Sequence, residues 1–160
     1  MFHIVLFEPE IPPNTGNVIR LCANSGSQLH LIEPLGFSME NKMLRRAGLD
    51  YHEFAPVRTH KSYDDFLQVY LNELGGEADR LFTLSTKGKR NYCDVMYKRN
   101  DCFVFGPETR GLPEDVRHQF GQEQCLRLPM KPDSRSLNLS NTVAIVLYSA
   151  WQHCGFEGGV

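Results

Sequence analysis

The sequence predicts an α/β fold, in which a mostly parallel sheet carries helices on both faces. Short apolar runs alternate with helical patterns along all 160 residues, and this alternation is typical of parallel sheets that are covered on both sides. Several of the apolar runs end at glycine or proline, as in Phe103-Val104-Phe105-Gly106. The length suits one domain, residues 1–160. We therefore expect a ligand site where the strands reach their carboxyl ends.

In the first third of the chain, strands are predicted from β-branched and aromatic composition and helices from capping residues and apolar periodicity. Phe2–Phe7 is β-branched and aromatic and is followed by Glu-Pro, so it predicts a strand. Asn14 is the predicted N-cap of the next helix, whose apolar stripe ends at Gly26. Leu29–Ile32 is a second predicted strand, and Asn41–Ala47 is a short basic helix.

The remaining elements are assigned on the same grounds. Predicted strands are short apolar runs between turn residues, and predicted helices begin at Ser, Asn or Pro and repeat apolar residues every three to four positions. In chain order they are a strand Phe54–Val57, a helix capped by Ser62, strands Arg80–Leu84 and Cys102–Phe105, a helix from Pro113 to about Phe120, a strand Cys125–Leu128 and a helix Leu139–Cys154. Apolar residues cover more of the last helix than one core stripe needs. We expect it to be buried on two sides or by a partner subunit.

Composition narrows the class of protein. A net charge of −2 argues against indiscriminate coating of nucleic acid, yet basic clusters near the predicted loops indicate phosphate contacts. Five irregularly spaced cysteines and six scattered histidines predict reduced thiols and no metal site. The N-terminal apolar run is too short to span a membrane and lacks signal-peptide features, so we expect a soluble cytoplasmic protein.

Three polar segments follow or precede the predicted apolar elements. They are Asn14-Thr15-Gly16-Asn17 with Arg20, Phe105-Gly106-Pro107-Glu108 with Gly111-Leu112, and Leu128-Pro129-Met130 followed by Ser136-Leu137-Asn138-Leu139-Ser140-Asn141. Taken singly, each has an ordinary structural interpretation as a turn, a helix cap or a surface arginine. Gly106 has no Cβ and could let the backbone approach a ligand.

In this order and spacing, the three segments resemble the motifs of the SPOUT-class RNA ribose 2'-O-methyltransferases. The resemblance covers nearly the whole chain, which is little longer than the minimal catalytic domain and is most similar to the members that modify the tRNA wobble position. It implies S-adenosylmethionine as cofactor, a homodimer, and a deep trefoil knot in the C-terminal part. General topology rules would have predicted an unknotted sheet.

The resemblance also implies roles for particular residues. Cofactor binding is expected at Leu84, Gly106, Leu128 and Ser136, catalysis at Arg20, Glu108 and Asn138, and substrate binding at Asn14, Arg20, Arg110 and Arg135. In the family the motif-one arginine has been proposed to deprotonate the ribose 2'-hydroxyl. Because a guanidinium stays protonated, Arg20 is better suited to holding a phosphate and stabilising the forming alkoxide. Glu108 is then the alternative base, or the group that orients Arg20.

The expected function is 2'-O-methylation of ribose 34, cytidine or modified uridine, in leucine tRNAs bound through the anticodon stem-loop. No metal is required, because the cofactor already carries the leaving group. Two alternatives stay open: methylation of ribosomal RNA, and a non-catalytic RNA-binding module of the same fold. Ribosomal members of the class usually carry an N-terminal extension, whereas this chain begins with the first predicted strand.

Overall fold

The computed structural model describes residues 1–45 and 57–160 and contains one parallel sheet. Within those residues the strands are β1 His3–Phe7, β2 Gln28–Ile32, β3 Val57–His60, β4 Leu81–Leu84, β5 Arg90–Asn91, β6 Cys102–Phe105 and β7 Cys125–Arg127. They lie in the order β3-β2-β1-β6-β4-β7-β5, and every pair is parallel. The predicted α/β class and parallel sheet are confirmed.

Helices cover both faces of this sheet. They are α1 Pro12–Ser25, α2 Lys42–Arg45, α3 Tyr63–Asn72, α4 Glu114–Arg117 and α5 Leu139–His153. Ile4 and Leu6 of β1 pack with α1 and α5, whereas Val5 and Phe7 pack with α3 and α4. This alternation follows from the period of two along a strand, and it divides the core into two apolar layers.

The start of α1 differs from the prediction. The N-cap is Ile11 and the helix begins at Pro12, so the prediction of Asn14 as N-cap was wrong. Two consecutive prolines suit the first turn, because their φ is fixed and they have no N–H groups to satisfy. The N–H groups of Glu10 and Ile11, just before the helix, donate to the carboxylate of Glu108 at 2.8 and 3.1 Å. Asn14 therefore lies within the first turn of the helix.

Most of the other predicted elements have limits that differ by a single residue, and a few need comment. The helix expected from Pro113 to about Phe120 spans only Glu114–Arg117, with Pro113 as its N-cap. It ends early because the chain turns where the Gly121 N–H donates to the His118 carbonyl. Of the strand predicted at 54–57, only Val57 lies within the described residues, and there it begins β3. The end of the predicted basic helix, 46–47, also lies outside them. The two-residue strand β5 was not predicted, since it is too short to show a period.

Gly88 holds the loop after β4 against β7. A Cβ built at Gly88 would lie 2.6 Å from the carbonyl carbon of Leu126, and the Ser85 N–H donates to the Leu126 carbonyl at 3.0 Å. A side chain at position 88 would therefore push the loop off the strand. The trefoil knot implied by the family resemblance stays a prediction, because strand order alone does not fix how loops thread.

Three histidines that are far apart in the sequence form a buried hydrogen-bonded row across β1, β2 and β3. His3 Nδ1 lies 3.0 Å from His30 Nε2, and His30 Nδ1 lies 2.9 Å from His60 Nε2. His3 Nε2 meets the Asn100 side-chain oxygen at 2.8 Å. Each histidine is displaced two residues from its neighbour in the strand register, so all three face the α3 side.

The row has one consistent arrangement of protons. The Asn100 amide nitrogen donates to the carbonyls of Leu74 and Gly75, so its oxygen must accept from His3 Nε2. His3 Nδ1 is then an acceptor, and each following ring donates through Nε2. Burial lowers the pKa of His30 to about 2, and it is also the main cause that lowers the pKa values of His3 and His60. The folded protein therefore holds all three neutral.

Acid should destabilise the fold through this row. The folded pKa values are depressed, so the stabilisation is complete above the unfolded histidine pKa and is lost as pH falls below it. For His30 the free energy of unfolding should fall by about 1.4 kcal/mol per pH unit below pH ~6.5. Urea unfolding at pH 7.5 and 5.5 measures this difference. His30→Gln, whose amide can both donate and accept, should reduce it, whereas His153→Gln on the surface should not; equal pH dependence in both variants would contradict the assignment.

Candidate cofactor and substrate site

A cavity of about 480 Å³ opens beyond the carboxyl ends of β4 and β6. Its walls come from three loops that follow β4, β6 and β7, together with the starts of α1 and α5. All four predicted cofactor residues line it, namely Leu84, Gly106, Leu128 and Ser136. The position agrees with the rule that α/β sheets bind ligands at the carboxyl edge.

Most of the other predicted site residues reach the same cavity. Asn14, Glu108, Arg110 and Asn138 also line it. Two do not. Arg20 lies exposed on α1 and Arg135 lies exposed in the segment before α5, and neither is part of the cavity wall. The cavity of one chain therefore lacks the arginine that the family resemblance places at the reaction centre.

Hydrogen bonds join the three sequence segments in series. The Asn14 amide nitrogen donates to the Glu108 carboxylate at 3.5 Å, and the Asn14 oxygen accepts from the Asn138 amide nitrogen at 3.0 Å. The Asn138 oxygen then caps α5, accepting from the N–H groups of Ser140 and Asn141 at 2.9 and 3.3 Å. The described bonds of Glu108 go to Glu10, Ile11 and Asn14. Both of its oxygens are occupied, which suits a positioning role better than the expected role of base.

Gly106 packs closely against the turn that follows it. A Cβ built there would lie 2.5 Å from the Leu112 nitrogen and 2.7 Å from the Gly111 carbonyl carbon. These atoms belong to the backbone of the following turn, so the chain itself requires glycine here. Approach of a ligand to the Gly106 backbone stays a prediction. Any larger residue at 106 would move the turn that forms one wall of the cavity.

Arg110 is already paired within the chain. Its guanidinium lies 3.1 Å from a Glu8 carboxylate oxygen and 3.6 Å from one of Glu10. Its side chain is 57% exposed, so these are surface ion pairs of small individual worth. A substrate phosphate approaching Arg110 would have to compete with both carboxylates.

Arg117 is a cavity residue that the motifs did not indicate. Its Nε is buried and has no hydrogen-bond partner among residues 1–45 and 57–160, and the residue is part of the cavity wall. A buried donor without a partner is costly, and a bound ligand with an acceptor atom would satisfy it. The sequence offers little to indicate Arg117, apart from its position at the end of the short helix α4.

Two further properties concern metals and membranes. Across the described ranges, 1–45 and 57–160, no group of three or more His, Cys, Asp or Glu side chains is arranged to hold a metal ion. None of the helices in those ranges combines the length and apolarity needed to cross a bilayer. The three neighbouring histidines do not form a metal site, because their facing nitrogens bond to one another.

Comparison with known proteins gives matches over most or all of the chain. The profile of the SpoU rRNA Methylase family matches residues 1–148. A tRNA (cytidine(34)-2'-O)-methyltransferase of Methylovorus glucosotrophus is 54% identical over 160 residues, which is 100% of both chains. A putative RNA methyltransferase structure from Bacillus anthracis is 43% identical with a TM-score of 0.86, covering 99% of this chain and 98% of that one. A structure described as bearing on 2-OH methylation of C/U34 on tRNA is 40% identical, also with a TM-score of 0.86, covering 98% of each.

Proposed function

The chain belongs to the SpoU rRNA Methylase family, and from that premise we propose that it transfers a methyl group from S-adenosylmethionine to the 2'-hydroxyl of ribose 34 in tRNA. Although the family description names ribosomal RNA, the full-length relative at 54% identity is named for cytidine 34 of tRNA. The 40% identical structure concerns C/U34. These two similarities favour tRNA over the ribosomal alternative.

The observation that carries this proposal is the hydrogen-bonded series Glu108–Asn14–Asn138 beside the cavity. Residues from three separate parts of the chain meet there, and each belongs to one of the three family motifs. A non-catalytic module would not need this convergence of side chains at the mouth of a cofactor-sized cavity.

The residues present suit S-adenosylmethionine. Leu84 and Leu128 offer apolar walls, the backbone at Gly106 and the Ser136 hydroxyl offer polar atoms, and Arg117 has an unsatisfied donor. When bound, the cofactor supplies a methyl group on a sulfonium, so no metal or covalent enzyme intermediate is needed. The protein's part is to align the ribose and to stabilise charge.

We assign Arg20 to the substrate ribose and its phosphate. A guanidinium offers a fixed charge and a planar set of donors, which suits binding a phosphate and stabilising an alkoxide. Arg110 and Arg135, both exposed, are further phosphate contacts in this proposal. Leucine tRNAs are the expected substrates, and a cytoplasmic location is proposed because tRNA is the substrate.

A homodimer brings Arg20 to a cavity. Arg20 is exposed on α1, and α1 packs beside α5. On α5, Ile145 and Tyr148 are 40% and 43% exposed, although the helix buries its other face in the core. We propose that the outward faces of α1 and α5 meet a second copy in a two-fold dimer, which places Arg20 at the partner's cavity.

Transfer of a labelled methyl group tests the proposed function. The protein is incubated with radiolabelled S-adenosylmethionine and, separately, with total tRNA or with ribosomal RNA from cells that lack this enzyme. Label should enter tRNA only. Label in ribosomal RNA alone would support the ribosomal alternative, and S-adenosylmethionine binding without transfer to either RNA would support the non-catalytic one.

A further inference from the structure

Two loops beside the cavity hold each other through their carboxylates. The β1 loop, residues 8–11, connects β1 to α1, and the β6 loop, residues 106–112, follows β6. Glu108 of the β6 loop accepts from the backbone N–H groups of Glu10 and Ile11 at 2.8 and 3.1 Å. In return, Glu10 of the β1 loop accepts from the Thr109 N–H at 2.9 Å and from the Thr109 hydroxyl at 2.8 Å. Each loop thus binds the backbone of the other.

These bonds are of the stronger kind, because the acceptors are charged. The bonds from Thr109 are the main cause that lowers the pKa of Glu10, so its carboxylate is ionised at neutral pH. Glu8 is also a carboxylate in the β1 loop, and both glutamates pair with Arg110. The ion pair is the one side-chain bond described for Glu8, whereas Glu10 also accepts from Thr109. Both residues are glutamates of the β1 loop, but of the two only Glu10 accepts a hydrogen bond from the backbone of the β6 loop.

The β1 loop is held from its other side as well. The Gly36 N–H donates to the Pro9 carbonyl at 2.9 Å, and a Cβ built at Gly36 would lie 2.8 Å from the Glu10 Cα. Glu8 has a φ of 46°, a conformation that is uncommon for a residue other than glycine. The β1 loop is therefore a fixed support from which Glu10 reaches across to Thr109.

The β6 loop, in contrast, forms the cavity. Residues 106–112 all belong to its wall, and the turn at Gly111 and Leu112 packs directly on Gly106. We propose that Glu10 is a positioning residue for the cofactor: it holds Thr109, and with it the β6 loop, in the conformation that binds S-adenosylmethionine. This inference rests on the proposed function, since it takes the cavity as the cofactor site.

The test compares two glutamates of one loop. Glu10→Ala should weaken S-adenosylmethionine binding about tenfold in calorimetric titration, because two bonds to a charged acceptor are lost. Glu10→Gln keeps an oxygen for Thr109 and should recover most of the affinity. The matched control Glu8→Ala removes a carboxylate of equal charge and should change the affinity by less than about twofold. In steady-state assays on tRNA, Glu10→Ala should raise KM for the cofactor more than it lowers kcat at saturating cofactor.

A second variant keeps the test valid if Glu10→Ala folds poorly. Thr109→Val removes the hydroxyl from an exposed side chain and should weaken cofactor binding in the same direction, and Thr109→Ser should restore it. Unchanged affinity in folded Glu10→Ala or Thr109→Val, or an equal loss in Glu8→Ala, would overturn the positioning role. Wild-type affinity is measured in the same series. A wild-type protein that binds no S-adenosylmethionine would contradict the proposed function itself, which separates the two failures.

Discussion

Replacing Arg20 by lysine should lower kcat for methyl transfer to tRNA by about a hundredfold while leaving S-adenosylmethionine affinity nearly unchanged. Lysine keeps the positive charge but loses the planar set of donors that can hold a phosphate and a forming alkoxide together. We assign Arg20 to the ribose and its phosphate and not to S-adenosylmethionine, so cofactor binding should not depend on it. Single-turnover rates and calorimetric titration measure the two quantities separately.

Arg99→Lys is the matched control. Arg99 is also exposed, and it pairs with Glu157 at 3.0 Å near the C-terminus, away from the carboxyl edge of the sheet. Its substitution should leave both kcat and cofactor affinity as in the wild type. If Arg20→Lys behaves like Arg99→Lys, then Arg20 is a surface residue without a part in the reaction.

Heterodimers with one lesion in each chain should recover about half of the wild-type activity. The lesions are Arg20→Ala and Thr86→Trp, the latter chosen because Thr86 is exposed and lines the cavity, so a large ring fills the cavity without disturbing the core. Each homodimer should be inactive. When each site combines one chain's cavity with the partner's arginine, the heterodimer has one intact site and one with both lesions. Two affinity tags allow that heterodimer to be purified and assayed.

The reverse arrangement makes the opposite prediction. A heterodimer with both lesions in one chain and none in the other should be inactive if sites are shared, because each lesion disables a different site. If Arg20 acted within its own chain, this heterodimer would keep half of the activity and the previous one would keep none. The pair of measurements therefore decides between the two arrangements, because both purified heterodimers carry the same two lesions.

The parts of the fold that depend on local pattern could be predicted from the sequence. The apolar run before Gly106 forms β6, which ends at Phe105 as expected. Ser62 caps α3 through its hydroxyl, which accepts from the Asp65 N–H at 3.1 Å. The start of α1 could not be predicted locally. Asn14 has good capping chemistry, but two prolines and a carboxylate 94 residues away decide the actual start.

The residues that line the cavity were predicted better than the contacts among them. Eight of the predicted site residues line the cavity, yet the close packing that requires glycine at position 106 was not predicted, because the turn it packs against is not apparent from the strand that precedes it. The bond between Glu10 and Thr109 joins residues 99 apart, and His3 and His30 are 27 apart. Neither pair has a local signal, since only the sheet register and the loops bring them together.

A leucine tRNA anticodon stem-loop with a single 2'-deoxyribose tests the central claim most directly. The target oxygen is absent when the deoxyribose is at nucleotide 34, whereas deoxyribose at nucleotide 33 or 35 leaves it in place. We expect no labelled methyl group to enter the first RNA and normal incorporation into the other two, with the methyl group mapped to ribose 34 by mass spectrometry. Normal incorporation into the RNA with deoxyribose at 34 would contradict the account.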